Sequence, residues 1–230
     1  MKKKTLSGEV WERLIDRHRI VIVAAGDIAA CDWNGVKQEN DVIITVDGGT
    51  WSALDYGWRP DLVVGDFDSA GERLLNYVTA EEIAYLKLPT EKDLTDTHYA
   101  LEVSVNLRPR EVLLLGALGG GRLDHALANV YLLEWLAHTG VKGRLIHRTN
   151  QVRLLTGAEE LTVRKEHSYL SLLPLTAKVT GVTLTGVRYP LTQATLQRGQ
   201  SLAISNEVVD QMGIIRISSG KLLVIESSDN

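Results

Sequence analysis

The chain has 230 residues and a formal net charge of −4 at pH 7, with 25 Lys and Arg side chains against 29 Asp and Glu. This length allows one large domain or two small ones with a real hydrophobic core, and the slightly acidic balance argues against a nonspecific nucleic-acid binder. The single cysteine excludes an internal disulfide framework and fits a reducing compartment.

The first residues, MKKK, resemble the basic start of a signal peptide. Residues 5–19 are polar and charged, however, so the apolar segment of such a peptide is missing. No apolar run approaches the length needed to cross a bilayer. We therefore expect a cytoplasmic protein that does not act on a membrane.

Continuous apolar runs, rich in β-branched residues, recur through the first part of the chain. They predict strands buried on both faces at residues 19–25, 41–46, 62–64 and 111–115, and a shorter strand at 85–88. Segments of helical character lie between or after them, at residues 50–56, 72–84, about 93–105 and about 124–138. This alternation predicts an α/β domain over residues 1–148, with a Rossmann-like parallel sheet flanked by helices. Ligands bind at the carboxyl ends of the strands in such sheets.

The rhythm changes near residue 149, where the helical periods stop. Short strand-like runs, separated by Gly, Pro and Asn turns, occupy residues 152–155, 161–164, 169–173, 179–184, 201–205, 214–217 and 222–225. They predict a second, antiparallel β domain over residues 149–230, a sandwich or a barrel.

The motif Gly65-Asp66-Phe67-Asp68-Ser69 follows the third predicted strand. Residues i and i+2 of an extended segment point to one side, so Asp66 and Asp68 could face one cation. Mg²⁺ prefers oxygen ligands and usually binds one or two carboxylates together with substrate phosphates. The alternative is an ordinary Asp- and Ser-rich turn after a strand.

Two further acidic motifs lie where strands end or helices begin. Asp47-Gly48-Gly49 is either a tight turn or a place where the backbone can approach a phosphate. Asp93 and Asp96 are typical of helix capping, with Asp93 as the N-cap. The same helix start could also bind phosphate with Lys92, while Asp96 completes a metal site.

A glycine-rich turn follows the strand at 111–115. It contains Gly116, Gly119, Gly120 and Gly121, and then Arg122. The spacing matches neither a Walker loop nor a dinucleotide fingerprint, but backbone amides of such turns hold phosphates, and arginine binds phosphate in bidentate fashion. Asp124 and His125 follow in the predicted first helical turn, where His125 reads as a capping or core residue.

Five aspartates are thus predicted to share one rim of the sheet: Asp47, Asp66, Asp68, Asp96 and Asp124. Without a cation they would repel one another and raise one another's pKa values. A site of this kind indicates a bound metal.

Taken in order, these motifs resemble the thiamine pyrophosphokinase (thiamine diphosphokinase) family. Residues 186–191 and 205–207 of the β domain also resemble that family's C-terminal motifs, and the similarity covers nearly the whole chain after residue 18. The resemblance implies an α/β domain followed by a β-sandwich. It implies transfer of a pyrophosphoryl group from ATP to the hydroxyl of thiamine, and a homodimer with active sites between subunits.

The resemblance also implies roles for individual residues. Mg²⁺ would be held by Asp66, Asp68 and Asp96, with Asp47 nearby. ATP would contact Asp47, Gly48, Gly49, Lys92, Gly116, Gly119, Gly120 and Arg122. Thiamine would contact Ser205, Asn206 and Tyr189, although Tyr189 could instead be a core residue of the β domain. Arg122 would act in catalysis, and Asp96 or Asp124 would accept the proton of the thiamine hydroxyl.

Two other functions fit parts of the pattern. The first is the same reaction on another alcohol, such as a hydroxymethylpterin, because the acidic and glycine-rich motifs serve ATP and metal, not the acceptor. The second is a non-catalytic nucleotide-binding sensor. The number of aspartates on one rim argues against a protein that only binds.

Overall fold

The structure is a computed structural model that describes residues 8–16, 18–33, 35–68 and 71–229. Ser69 of the first acidic motif lies outside these residues. By its internal contacts the chain divides into two compact units, residues 1–148 and 149–230.

The first unit contains six strands in a parallel arrangement with the order β4-β3-β2-β1-β5-β6. The strands are β1 (Arg19–Val23), β2 (Val42–Val46), β3 (Leu62–Gly65), β4 (Ala84–Lys87), β5 (Glu111–Leu115) and β6 (Lys142–His147). The helices are α1 (Gly8–Leu14), α2 (Gly49–Asp55), α3 (Gly71–Ala80), α4 (Asp96–Asn106) and α5 (Leu123–His138), with a short 3₁₀ helix at Ala30–Trp33. From β1 to β4, each successive strand lies closer to one edge of the sheet, whereas β5 and β6 lie on the other side of β1. The order therefore reverses between β1 and β5, where α/β sheets bind ligands.

The core of the first unit explains why its strands are continuous apolar runs. All five residues of β2 are buried, as are four of the five in β1 and in β5. On one side, Val21, Ile43 and Leu113 pack with Ala53 of α2 and with Trp58. Strands covered in this way have no polar face to show, so they lack the alternation of a half-exposed strand.

Helix α4 begins later than the capping pattern predicted. Thr95, not Asp93, is the N-cap, and its hydroxyl accepts a hydrogen bond from His98 N at 3.2 Å. Asp96 is therefore the first residue of the helix, where a carboxylate interacts favourably with the helix dipole.

The second unit has seven strands: β7 (Asn150–Thr156), β8 (Glu160–Arg164), β9 (Tyr169–Pro174), β10 (Lys178–Thr185), β11 (Leu191–Gln197), β12 (Met212–Arg216) and β13 (Lys221–Ser227). Strand β13 pairs antiparallel with β7 and β9, while β11, β10, β12 and β8 form a four-stranded antiparallel sheet. Residues from both groups, such as Leu172, Val224, Val182 and Ile215, share one buried core. This arrangement is a β-sandwich.

One predicted strand of this unit is wrong. Residues 201–205 form no strand, and the edge strand is β11, which the apolar pattern did not indicate. Ser205 has a φ of +56°, a left-handed conformation that does not belong in a strand. In β11, Leu191, Ala194 and Leu196 reach the core while the intervening residues are largely exposed, an alternation diluted by polar residues.

Within the described parts of the chain, no helix is long and apolar enough to cross a membrane.

Candidate active site

The ends of β1 and β5 meet in close backbone contact. Gly26 N donates a hydrogen bond to Gly116 O at 2.9 Å. A Cβ atom at position 26 would lie 2.2 Å from the same oxygen, which no side chain tolerates. A glycine is thus required where the two strand ends diverge, and this contact shapes one wall of the site.

A cavity of about 720 Å³ opens at this point of the first unit. It lies within the range expected for a small-molecule site. The strand ends of β1, β2 and β5 and the starts of α4 and α5 line it. Among the predicted site residues, those that line the cavity are Asp47, Asp96, Gly116, Gly119, Gly120 and Arg122.

The glycine-rich turn runs from the end of β5 to the start of α5. Gly116, Gly119, Gly120 and Gly121 all have positive φ values, between +63° and +83°. Only glycine adopts this conformation repeatedly without strain, so the spacing of the motif reflects the path of the backbone. Helix α5 then begins at Leu123 without a side-chain cap on its first N–H groups. Uncapped N–H groups at a helix start are suited to binding an anion.

Arg122 and Asp124 form an ion pair at the mouth of this turn. Arg122 Nη2 lies 2.6 Å from Asp124 Oδ2, and both side chains are 66 % exposed. The hydrogen bond from Arg122 lowers the pKa of Asp124 to about 2. Asp124 is thus ionised at neutral pH and is a weak proton acceptor.

Two cavity residues from α5 differ from expectation. His125 is exposed and lines the cavity, so the capping or core role favoured by its sequence position is wrong. Asn129, which no motif of the sequence indicated, is buried and donates from Nδ2 to Ala117 O at 2.8 Å. The sequence offers one signal for Asn129. It lies in the second turn of α5, a helix that starts directly after the glycine turn.

The acidic motifs converge through a lysine. Lys92 Nζ lies 2.7 Å from Asp66 Oδ2 and 3.1 Å from Asp96 Oδ1. The side chains of Lys92, Asp66 and Asp96 are 7 %, 14 % and 20 % exposed, respectively. Asp66 and Lys92 are thus joined to the cavity through Asp96, although neither lines the cavity itself.

The pKa values of the two aspartates in this cluster shift in opposite directions. The hydrogen bond from Lys92 lowers the pKa of Asp66. Burial raises the pKa of Asp96 in spite of the same lysine. Burial works to lower the pKa of Lys92, but its ion pairs with Asp66 and Asp96 outweigh that effect and raise it.

Asp47 lies beside this cluster at the end of β2. It has a φ of +43° and is 8 % exposed, and its Oδ1 atom accepts a hydrogen bond from Phe67 N at 3.3 Å. Burial raises the pKa of Asp47 to about 6, and the charge of Asp96 adds to the shift. Gly65 makes room for this carboxylate, because a Cβ there would lie 1.9 Å from Asp47 Oδ1.

The glycines after Asp47 do not line the cavity. Gly49 is buried, and a Cβ at its position would lie 2.4 Å from Val23 O. Close packing of α2 against β1 therefore accounts for Gly49. Gly48 is the N-cap of α2, and a Cβ at its position would meet no atom closer than Ala25 Cβ, at 3.7 Å.

Asp68 is held beside Asp66 by two hydrogen bonds. Its backbone N donates to Asp66 Oδ1 at 3.0 Å, and its Oδ2 accepts from Thr90 Oγ1 at 2.9 Å. Its side chain is exposed. Phe67 between them has a φ of +63°, so the segment is not extended, and the premise that the i, i+2 spacing points both carboxylates to one side is wrong.

Over the described residues, no group of three or more His, Cys, Asp or Glu side chains is arranged to hold a metal ion by itself. The donors present nevertheless suit a hard cation. Asp96 Oδ1 is buried and accepts no well-directed hydrogen bond, even though Lys92 Nζ is near. Carboxylate oxygens are the ligands that Mg²⁺ takes, and Mg²⁺ commonly completes its shell with substrate phosphates and water.

The predicted thiamine-binding residues lie in the second unit. Asn206 is 5 % exposed; its Oδ1 accepts from Tyr189 N at 3.0 Å and its Nδ2 donates to Tyr189 O at 2.8 Å. Tyr189 is 62 % exposed, so the alternative that it is a core residue is wrong. Ser205 is exposed, and its backbone N donates to Ser171 Oγ at 3.0 Å. Asn206 thus fixes the backbone of the segment that presents Tyr189.

The first unit is a parallel α/β unit whose glycine turn lies at the switch point, with an acidic cluster beside it, and a β-sandwich follows. These features are typical of α/β phosphotransferases with an appended β domain. Comparisons with known proteins narrow this class. A family model described as the thiamin pyrophosphokinase catalytic domain matches residues 33–145. A second, described as the thiamin pyrophosphokinase vitamin B1 binding domain, matches residues 159–224.

Individual relatives agree with the family models. The thiamine pyrophosphokinase of Bacillus subtilis (strain 168) is 34 % identical over 199 residues, which are 86 % of this chain and 92 % of the relative. A crystal structure of the Bacillus subtilis enzyme has a TM-score of 0.84 and covers 92 % of this chain and all of its own, at 34 % identity. The thiamin pyrophosphokinase structure from Geobacillus thermodenitrificans has a TM-score of 0.81 at 33 % identity, covering 92 % and 98 % of the two chains.

The chain belongs to the thiamine pyrophosphokinase family. The resemblance drawn from the ordered motifs is therefore confirmed, and so is the fold class.

Proposed function

We propose that this chain is a thiamine diphosphokinase, which transfers the pyrophosphoryl group of ATP to the hydroxyl of thiamine and releases AMP. The hydroxyl oxygen attacks the β-phosphorus, the bond from that phosphorus to the oxygen of the α-phosphate breaks, and the hydroxyl proton passes to a base. The observation that carries the proposal is the cavity at the β1–β5 switch point, which lies between the glycine turn and the acids Asp47 and Asp96, in a chain of this family.

The nucleotide phosphates bind along the glycine turn. The backbone at Gly116, Gly119 and Gly120 and the uncapped start of α5 offer N–H groups to an anion. Arg122 is exposed at the same place and, with Lys92, supplies positive charge. Asp47 belongs to the nucleotide side of the site as well, whereas Gly48 and Gly49 support it from the start of α2 without lining the cavity. The reaction needs charge neutralisation and in-line positioning more than a covalent intermediate.

Asp66, Asp68 and Asp96, with Asp47 nearby, are the residues that would hold Mg²⁺. A bound Mg²⁺ supplies positive charge to the pyrophosphoryl group as it is transferred. Lys92 now makes ion pairs with two of these acids, so its ammonium neutralises the cluster when no metal is bound. A cation held by these acids would take over that neutralising role, and Lys92 would then be available to a phosphate.

Asp96 is the better of the two candidate proton acceptors. Asp96 lines the cavity and Asp124 does not, and the hydrogen bond from Arg122 lowers the pKa of Asp124 to about 2. A carboxylate is a stronger base when its pKa lies nearer the working pH.

Thiamine binds to the second unit at Tyr189 and Ser205, and Asn206 contributes by holding the backbone of Tyr189 in place. Thiamine is cationic and aromatic, and an exposed tyrosine ring offers a face for such a ligand. The vitamin B1 binding domain model covers all three positions. We place the active site of the working enzyme between the first unit of one subunit and the second unit of its partner in a homodimer.

The lone cysteine and the use of ATP support a cytoplasmic location. Cell fractionation checks this point, and recovery of the protein with a membrane or outside the cell would contradict it.

The test of the function is AMP formation from ATP and thiamine. We expect AMP and thiamine diphosphate in equal amounts with Mg²⁺, no product with EDTA, and recovery when Mg²⁺ is added back in excess. A hydroxymethylpterin offered in place of thiamine should give no AMP. A faster reaction with the pterin alcohol would identify the other acceptor, and nucleotide binding without turnover would identify a sensor. The comparisons support neither alternative.

A further inference from the structure

The side chain of Asn129 joins helix α5 to the glycine turn. Its Nδ2 atom donates to Ala117 O at 2.8 Å. Asn129 is 9 % exposed and Ala117 is 3 % exposed, so water does not readily replace this bond. The amide is therefore the partner of a buried carbonyl inside the turn, and the bond connects two parts of the chain twelve residues apart.

The turn depends on such contacts because glycines do not hold a conformation by themselves. Gly116, Gly119 and Gly120 have positive φ values, and glycine loses more backbone entropy than any other residue when it is ordered. The Gly26 N to Gly116 O bond anchors the start of the turn on the chain that follows β1. The bond from Asn129 anchors the next peptide group on α5. Because a peptide group is planar, holding the Ala117 carbonyl also fixes the direction of the following N–H.

We propose that Asn129 is a positioning residue that keeps the glycine turn in its phosphate-binding conformation, so that its loss weakens nucleotide binding and leaves thiamine binding unchanged. This inference rests on the proposed function, because it assigns the turn to the phosphates of ATP. Asn129 also lines the cavity, but the positioning role depends only on its bond to Ala117.

The substitution Asn129→Asp tests the claim with almost no change in size. At neutral pH a carboxylate replaces the amide, so the donor is lost and an acceptor faces the Ala117 carbonyl. We expect KM for ATP to rise about tenfold while KM for thiamine changes less than about twofold. When the introduced carboxyl is protonated it becomes a donor again. The ratio of variant to parent activity should therefore rise as the pH is lowered from about 8 to about 6.

The matched control is Asn76→Asp, the same change in the interior of helix α3 at an exposed position. We expect it to leave both KM values and the pH profile of the parent unchanged. Asn129→Ala removes the donor without adding a charge, and should raise KM for ATP without the recovery at low pH. Thermal unfolding of each variant shows that the protein is folded. If Asn129→Asp does not fold, Asn129→Ala carries the KM test alone.

Three results would overturn the inference: an unchanged KM for ATP in a folded Asn129 variant, an equal rise of both KM values, or a pH profile parallel to that of the parent. Calorimetric titration with ATP separates this failure from failure of the proposed function. If the parent binds ATP but makes no AMP from thiamine, the function is wrong, and an ATP affinity of Asn129→Asp about tenfold weaker would still support the role of the turn.

Discussion

Lys92→Met removes the only cation that contacts both Asp66 and Asp96 among the described residues. Methionine keeps the length and most of the apolar stem, so the change is mainly one of charge. The two ion pairs of Lys92, at 2.7 and 3.1 Å, are largely buried. Breaking a buried pair by removing one partner costs about 3–5 kcal/mol, because the other charge stays buried and unpaired.

We take the lower end of that range, about 3 kcal/mol, because Asp66 and Asp96 keep some contact with water. For a chain of this size each kcal/mol shifts the unfolding midpoint by roughly 2–4 °C. Lys92→Met should therefore lower the midpoint by about 6–12 °C at neutral pH. Lys87→Met, at an exposed position at the end of β4, is the matched control and should change the midpoint by less than about 2 °C.

The pH dependence follows from the direction of the shifts. Lys92 lowers the pKa of Asp66, so its contribution to stability is present above the ordinary pKa of an aspartate and is lost as the pH falls through the lowered value. In the variant both acids take up protons more readily, which relieves their repulsion. The difference between parent and variant should thus be largest near neutral pH and shrink as the pH approaches about 4.

The assay is thermal unfolding of the three proteins between about pH 3 and about pH 8, repeated with Mg²⁺. If the acids bind Mg²⁺, the metal should stabilise Lys92→Met more than the parent, because no lysine has to be displaced. A drop no larger than that of Lys87→Met, or a drop that does not depend on pH, would refute the ion-pair reasoning. If Mg²⁺ has no effect on the variant, the assignment of these acids as metal ligands is contradicted, and the ion-pair reasoning is not affected.

Three further changes test other parts of the site. Asp66→Asn or Asp68→Asn should abolish AMP production while the protein still folds, and normal turnover in either variant would remove that residue from the metal site. Asp66→Asn also breaks one ion pair of Lys92 and should lower the unfolding midpoint, whereas Asp68→Asn breaks none of the ion pairs of Lys92. Gly26→Ala should lower the midpoint and raise KM for ATP, since the new Cβ would lie 2.2 Å from a backbone oxygen. Gly48 has a φ of −58°, and a Cβ at its position has no such clash. Gly48→Ala should therefore be as stable as the parent or slightly more stable. Thr95→Ala deletes the cap of α4 and should cost about 1 kcal/mol in urea unfolding, with Thr95→Ser restoring most of it; equal stability of all three proteins would show that the hydroxyl does not cap the helix.

The location of the site could be predicted because it follows from local patterns. Continuous apolar runs ending in glycine or aspartate indicate buried parallel strands, and carboxyl ends of parallel strands share one edge. That reasoning predicts that Asp47, Asp96 and the glycine turn share one rim of the sheet, and all of them line the cavity. It did not predict the left-handed φ of Phe67, which breaks the extended geometry assumed for Asp66 and Asp68.

Partners within the site could not be predicted in this way. The sequence placed Lys92 near phosphates, but its position between Asp66 and Asp96 depends on how the segment before α4 lies against the end of β3. The bond from Asn129 to Ala117 likewise requires α5 to pack beside the turn. Such contacts join residues far apart in the chain, and periodicity carries no information about them.

Residue type and spacing indicated the class of each unit and the order of the motifs, and the resemblance of those motifs to a known family indicated the family. Folding settled that β11 and not residues 201–205 completes the sandwich, that Thr95 and not Asp93 caps α4, and which acids are buried. The physical reason is that strand pairing, capping geometry and desolvation depend on the neighbours that a residue meets in the folded chain. The same reason explains the difference between Asp47 and Asp124: burial raises the pKa of the first to about 6, and an exposed arginine lowers that of the second to about 2.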